Sequence, residues 1–423
     1  MKISIVSLGC PKNLVDSERL LARLGVGGMI ISPIPEESDV VIINTCGFIA
    51  PAVEETKQTI HEMLESSHNG QRIYVMGCAV NRYGNELRAA FPAVSGWFRL
   101  EDENNIPSVI GAAQSDVDAR LLTTNGYAYL KISEGCSNNC AYCTIPSIKG
   151  PYRSFDFDTL VREGRELARS GVKEIILIGQ DTTCYGRDLY GKPMLVPLIR
   201  KLTEMPGIEW LRLMYAHPKS IDERIIEEIS RNNKVCKYID LPIQHINDRI
   251  LRMMNRDTDR QMIMHILKQL KNIENMVVRT TVIAGFPTES AGEFNELMHF
   301  AERGYIDWLG VFPYYRESGT AAASFEPLPE EIVEERLEKA IAIQQQLMQR
   351  NNAKWLHQQY PVLIHGRNKN YIGHTEFAAP EIDRQVVIKQ EDLEVGNIYE
   401  VTITGIDGLD LTGSVIPQRV GVD

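Results

Sequence analysis

YAYLKISEGCSNNCAYC, residues 127–143, sets three cysteines at CxxxCxxC spacing directly after a short apolar and aromatic run. The run at 127–132 has strand composition, so Cys136, Cys140 and Cys143 fall on the loop leaving its carboxyl end. Downstream the alternation repeats, with strand candidates at 174–179, 210–214, 237–241, 277–284 and 308–312 and helical stretches in the gaps. Six such βα units predict an α/β fold built on an open or partial (βα)6 barrel, whose chemistry belongs on the loops after the strands. That puts the three thiols at the catalytic mouth.

Thiolates are soft ligands suited to zinc, copper(I) or iron-sulfur clusters, so residue type alone leaves the metal open. Number says more. Three thiolates around a four-iron cluster leave one iron without a protein ligand, and an open coordination position is where a substrate meets the metal. A structural zinc site whose fourth ligand lies elsewhere is the competing reading.

Upstream, β-branched runs at 2–7, 40–44 and 72–76 alternate with helical patterns at 13–24, 51–66 and 81–91, which predicts an N-terminal parallel βα domain. Cys10, Cys46 and Cys78 each follow one of those strands, at the edge where parallel sheets carry ligand sites. Taken singly, each is as well explained as a small buried hydrophobe. Cys184 and Cys236 share no such placement and read as ordinary packed or loop cysteines. The polar stretch 101–125 reads as a connection, and a long helix at 329–357, led by Glu330, Glu331, Glu334 and Glu335, as a strap over the barrel. Short β runs at 362–365, 385–388 and 398–403 predict a small all-β barrel. The expected domains are therefore 1–104, 126–357 and 358–423.

With 423 residues the chain has material for more than one core, and its formal net charge of -11 disfavours strong direct binding of nucleic acid. No apolar run approaches the ~20 residues of a membrane helix, and eight cysteines without a secretory signal predict a cytoplasmic protein with thiols in use as ligands. His61-Glu62 is followed by Glu65 where a zinc protease needs histidine, and neither a P-loop nor a GxSxG elbow occurs.

The CxxxCxxC spacing, Tyr142 just before the third cysteine and the six βα units together resemble the radical S-adenosylmethionine superfamily. The resemblance implies a 4Fe-4S cluster on Cys136, Cys140 and Cys143 whose unique iron chelates S-adenosylmethionine. It places Tyr142 near the adenine, and the stretch TVIAGFPTE (281–289), with Gly285 and Glu289, beneath the adenosyl group. Such chemistry suits a C–H bond with no acidic proton, because the cofactor carries the reaction while the protein positions and shields it. SLGCPKN (7–13), INTCGFI (43–49) and MGC (76–78), followed by the radical loop and a β domain similar to TRAM, resemble the methylthiotransferase family along nearly the whole chain. That resemblance implies a second 4Fe-4S cluster on Cys10, Cys46 and Cys78, which supplies or relays sulfur. Thr288 and the pair Asp383-Arg384 stand where the family pattern has glycine and Asp-Gly.

LIGQDTTCYGRDLYG (177–191) is similar to the branch that modifies the β-carbon of an aspartate in the basic small-subunit ribosomal protein S-twelve, free or in the subunit. A branch acting on adenosine in tRNA is the alternative, and a metal-containing binding or electron-carrier protein is the alternative of another class. Charge favours the first: residues 358–423 carry five Lys and Arg against ten Asp and Glu, which suits a basic protein partner better than phosphates. A reducing electron donor is also implied, and no membrane partner. Gln180 and Asp181, after the second barrel strand, and Gln244 and His245, after the fourth, are candidates to line the pocket, with a solvated loop or a hydrogen-bonded wall as the plainer reading. Arg256 is a candidate for a bidentate contact to the substrate carboxylate, against the plainer reading of a solvated arginine.

Overall fold

The computed structural model describes residues 1–115, 119–390 and 392–416. Two compact units emerge: Met1–Thr123 with Glu134–Arg153 and Glu317–Thr320, and Thr124–Ser133 with Ser154–Arg316 and Ala321–Asp423.

In the first unit five parallel strands lie in the order Ile30–Ile31, Lys2–Ser7, Val40–Thr45, Arg72–Gly77, Gly96–Phe98. Val40–Thr45 is central and buried along its whole length, as a strand covered on both faces must be. Side-chain alternation splits its apolar run: Val40 and Ile42 join the core of Leu20, Leu24 and Ile110, whereas Val41 and Ile43 join Ile60 and Val80. The helices Pro11–Val26, Ala50–Glu65 and Cys78–Ala90 supply those covers. The first two carry proline in the opening turn, where its missing N–H breaks no helical hydrogen bond.

The expected connection at 101–125 needs correction. It holds a 3-10 turn, Leu100–Asn105, and a helix, Ile106–Ile110, whose two isoleucines sit in the core. One helical turn is too short to display a period, so its apolar face was invisible as pattern. Residues 116–118 of that stretch, and 391 and 417–423 of the expected C-terminal domain, lie outside the described residues.

The second unit contains six parallel strands in chain order: Tyr127–Lys131, Glu174–Ile178, Trp210–Leu213, Val235–Asp240, Val277–Ala284 and Trp308–Pro313. The sheet stays open, as a partial barrel does. Along its last strand runs the helix Glu330–Ala353, with Gln344 Nε2 donating to Leu309 O at 2.6 Å and Asn351 Nδ2 to Asp307 O at 2.8 Å. Glu330 and Glu331 occupy its first turn, where the dipole favours them.

The chain ends in a closed five-stranded barrel of Gln359–Arg367, Tyr371–His374, Val386–Ile388, Ile398–Asp407 and Asp410–Val415. Three of these strands were expected. Tyr371–His374 and Asp410–Val415 were not, because Gly373 and Gly413 interrupt short runs that are only partly apolar. A buried polar seam joins this barrel to the six-stranded sheet: Arg212 Nε pairs with Glu174 Oε1 at 2.6 Å, Arg212 Nη1 donates to Glu376 O at 2.8 Å, and His374 closes on Glu174. Among the described residues no helix is long and apolar enough to cross a membrane.

Candidate functional site

Three strands of the first unit run into cysteines: Lys2–Ser7 leads to Cys10, Val40–Thr45 to Cys46 and Arg72–Gly77 directly to Cys78. Cys10 is the N-cap of one helix and Cys78 the first residue of another, so both cysteines stand at helix N-termini. Asn13, one turn beyond Cys10, draws the strand ends together. Its Nδ2 donates to Leu8 O at 3.0 Å and to Thr45 O at 3.1 Å, while Oδ1 lies 4.0 Å from Cys10 Sγ and 3.9 Å from Cys78 Sγ. Asn44 Nδ2 donates in turn to Asn13 O at 2.9 Å. At Gly9 the backbone has φ 85°, and a Cβ there would lie 2.7 Å from Cys46 Cβ, so only glycine lets the first and second thiols approach.

The loop beyond Cys46 is pinned from two sides. Arg82 Nη1 donates to Gly47 O at 3.1 Å and Phe48 O at 3.2 Å, and Arg82 Nη2 pairs with Glu317 Oε2 at 2.8 Å. Glu317 Oε1 accepts from Ala50 N at 2.7 Å, capping the next helix. Burial pushes the Cys78 thiol up to about 12, with Lys149 pulling the other way, and raises Cys46 as well. Metal binding reverses that preference, since the thiolate is the ligand.

These donors fit an iron-sulfur cluster: three soft thiolates converge in a rigid hydrogen-bonded frame. Among the described residues no three His, Cys, Asp or Glu side chains converge on the position of one ion.

Cys136, Cys140 and Cys143 lie in the same unit. Cys136 N donates to Gly150 O and Cys143 N to Cys140 O, each at 3.1 Å, and Asn138 N points at Cys136 Sγ at 3.4 Å. Gly135 has φ 72°, and a Cβ on it would strike Pro151 O at 2.2 Å. Cys136 is buried; Cys140, Tyr142 and Cys143 are half-buried, which leaves the loop accessible to a ligand. Behind it runs the short helix Ile145–Lys149. Thr144 Oγ1 donates to Phe48 O at 2.9 Å and Asn81 Nδ2 to Ile148 O at 3.2 Å, tying this segment to the loop after Cys46 and to the helix that begins at Cys78. Residues 134–153 thus share a unit with the first cysteine set, although the chain reaches them from a strand of the second sheet.

In the second unit Asp181 is 1% exposed, and its Oδ1 accepts from Thr183 N at 3.1 Å and Thr183 Oγ1 at 2.6 Å. Burial, then the charge of Arg256, hold His217 down to about 3, with Asp181 opposing. Asp181, His217 and Arg256 are therefore neighbours in one buried polar cluster, beside which Gln180 is half-buried. Arg256 is buried, not solvated, and its Nη2 donates to Pro242 O at 2.8 Å. His217 escaped the sequence reading; the available signal was a single histidine shortly after the third strand.

Gln244, at φ 67°, bridges to the fifth strand, its N donating to Thr281 O at 2.9 Å. His245 Nε2 meets Glu289 Oε1 at 3.0 Å with both side chains fully enclosed. Glu289 Oε2 accepts from Gly285 N at 3.1 Å and pairs with Arg336 of the long helix, so this carboxylate holds the 285–289 loop. Cys184 Sγ lies 3.2 Å from Asp181 Oδ2 and is pushed up to about 12 by burial; Cys236 is fully buried and also raised. Burial thus disfavours the thiolate at both.

Residues 130–301 match the radical SAM superfamily, 2–99 an uncharacterized protein family (UPF0004) and 358–416 a TRAM domain. The ribosomal protein uS12 methylthiotransferase RimO of Aquifex aeolicus (strain VF5) is 44% identical over 421 residues, covering 98% of this chain and 97% of that protein. The RimO of Acetivibrio thermocellus is 41% identical, with 99% of each chain covered. Among solved structures, the radical S-adenosylmethionine methyltransferase TsrM from Kitasatospora setae superposes with a TM-score of 0.57 at 13% identity over 76% of each chain. The cobalamin-dependent enzyme OxsB gives 0.51 at 13% identity, covering 81% of this chain and 56% of that one. These two likenesses speak for the fold alone. Identity at this level from end to end, with the three matches in order, makes the chain a member of the RimO family of radical S-adenosylmethionine methylthiotransferases.

Proposed function

We propose that the chain adds a methylthio group to the β-carbon of an aspartate in ribosomal protein uS12, using Cys136, Cys140 and Cys143 for the radical cluster and Cys10, Cys46 and Cys78 for the auxiliary one. The observation that carries this reading is the gathering of the Cys10 and Cys78 thiols at Asn13 Oδ1, with Asn13 Nδ2 on the carbonyl of Thr45, the residue before Cys46, at the ends of three parallel strands. When bound, the two 4Fe-4S clusters and S-adenosylmethionine supply the one-electron chemistry and the sulfur.

The protein's own residues bind, orient and shield. Each cysteine set gives three thiolates and leaves a fourth position for an outside ligand. Tyr142 would lie near the adenine, and the loop from Gly285, braced by Glu289, would support the adenosyl group. Arg256, preorganised by burial, orients the substrate carboxylate, with Gln180 and Asp181 lining the pocket. Residues 1–104 carry the auxiliary cluster, 126–357 the radical chemistry, and 358–423 draw in the basic substrate, free or in the small subunit, by their acidic charge. The setting is the cytoplasm, with a reducing electron donor as partner and no strong direct contact to nucleic acid.

The test is anaerobically reconstituted protein given reductant, S-adenosylmethionine and either uS12 or tRNA, with products read by mass spectrometry. The aspartate of uS12 gains a methylthio group and tRNA stays unmodified. Turnover on tRNA alone would overturn the assignment.

A further inference from the structure

Lys149 closes the short helix behind the radical loop, yet its side chain is only 3% exposed and its charge is directed elsewhere. Nζ lies 3.2 Å from Glu134 Oε1 and 3.8 Å from Asp16 Oδ2, but is aligned for a hydrogen bond with no described atom. Desolvating an ammonium is expensive by several kcal/mol, and two carboxylates in poor alignment offset that incompletely. The first cysteine set also faces the charge: Cys78, Cys46 and Cys10 all lie within its field. The carboxylates also place it. Asp16 stands on the helix that starts at Cys10, and Glu134 two residues before Cys136.

A 4Fe-4S core on three thiolates is negatively charged, and more so when reduced. A fixed cation in a low-dielectric pocket favours the reduced form and any further anion added at the open iron.

We infer that Lys149 is a positioning residue for the auxiliary cluster, a buried charge that raises the cluster's reduction potential and its affinity for a small sulfur anion such as hydrosulfide at the iron left open by Cys10, Cys46 and Cys78. The inference rests on the reading that those cysteines hold a cluster.

The experiment uses the full chain carrying C136A, C140A and C143A, so that the first set alone is loaded, and compares Lys149 with Lys149→Met and Lys149→Arg. Iron content is measured first, then midpoint potential by redox titration with electron paramagnetic resonance, then the spectral response to added sodium sulfide. The Met variant keeps its iron, shifts the redox equilibrium about tenfold toward the oxidised form, which is ~59 mV for one electron, and binds hydrosulfide about tenfold more weakly. The Arg variant restores both values. Iron lost from the Met variant but kept by the Arg variant supports the same requirement for charge. An iron-loaded Met variant with unchanged potential and sulfide response overturns the inference, as do Met and Arg variants that fail alike. A Lys149 parent without iron overturns the cluster reading itself, and is told apart by the iron assay.

Discussion

At the scale of single residues, the proposed division of the iron between the two cysteine sets is tested by alanine at Cys10, Cys46 and Cys78 together. The triple variant is expected to lose about half the iron, one of two four-iron clusters, while reductive cleavage of S-adenosylmethionine to 5'-deoxyadenosine continues. Full iron retention would refute the second site. His365 gives a prediction in pH. Burial and the neighbouring His374, whose Nδ1 lies 2.9 Å away, hold its pKa down to about 4. An unfolded histidine titrates near ~6.5, so between these two values the unfolded chain binds more protons and stability rises with pH. His365 thus contributes stability that is complete above the unfolded value and lost as pH falls toward the folded one. Thermal unfolding followed by circular dichroism should show Tm falling through that window, with a shallower slope in His365→Asn; equal slopes would contradict a buried neutral ring.

At the scale of elements, the 285–289 loop carries a strain that substitution can relieve. Thr288 sits at φ 66°, a region that a β-branched side chain adopts only under strain of about 1–3 kcal/mol. Replacement by glycine removes that strain, loses up to ~1 kcal/mol to the freer unfolded chain, and is expected to raise stability by about 1 kcal/mol in denaturant titration. A lower midpoint would mean that the contact of Thr288 Oγ1 with Arg249 Nη1, at 3.3 Å, outweighs the backbone term. The family glycine at this position was legible in the sequence, and its physical reason appears only in the backbone angle. Long elements were legible in the same way. Val277–Ala284 and Lys2–Ser7 announce themselves by β-branched runs, whereas Ile30–Ile31 and Gly96–Phe98 are too short to form a pattern and exist because a neighbouring strand offers a ladder. The placement of Cys10, Cys46 and Cys78 just after three parallel strands was legible by type and spacing. Asn13, Lys149 and Glu317 were not, because each acts through partners distant in sequence.

At the scale of the whole molecule, the closed β barrel is bound to the six-stranded sheet by enclosed charge. Glu174 and Arg212 are both fully buried, and Glu174 is held down to about 2: burial opposes its charge, but Arg212 and His374 outweigh burial. Arg212→Met leaves the Glu174 carboxylate short of a partner and removes a donor from Glu376 O and Thr375 O; removing one member of such a pair destabilises by about 3–5 kcal/mol. Scanning calorimetry of this variant should show a markedly lower Tm, whereas an unchanged Tm would mean that the barrel is not needed to hold the sheet. The clasp formed by Glu317 on Arg82 and Ala50 bears on the order of events during synthesis. Translation proceeds from the amino end, and the sheet bearing Cys10, Cys46 and Cys78 emerges long before the segment Glu317–Thr320 that completes its unit. A nascent chain therefore exposes these thiols well before the segment that latches the loop after Cys46 has been made.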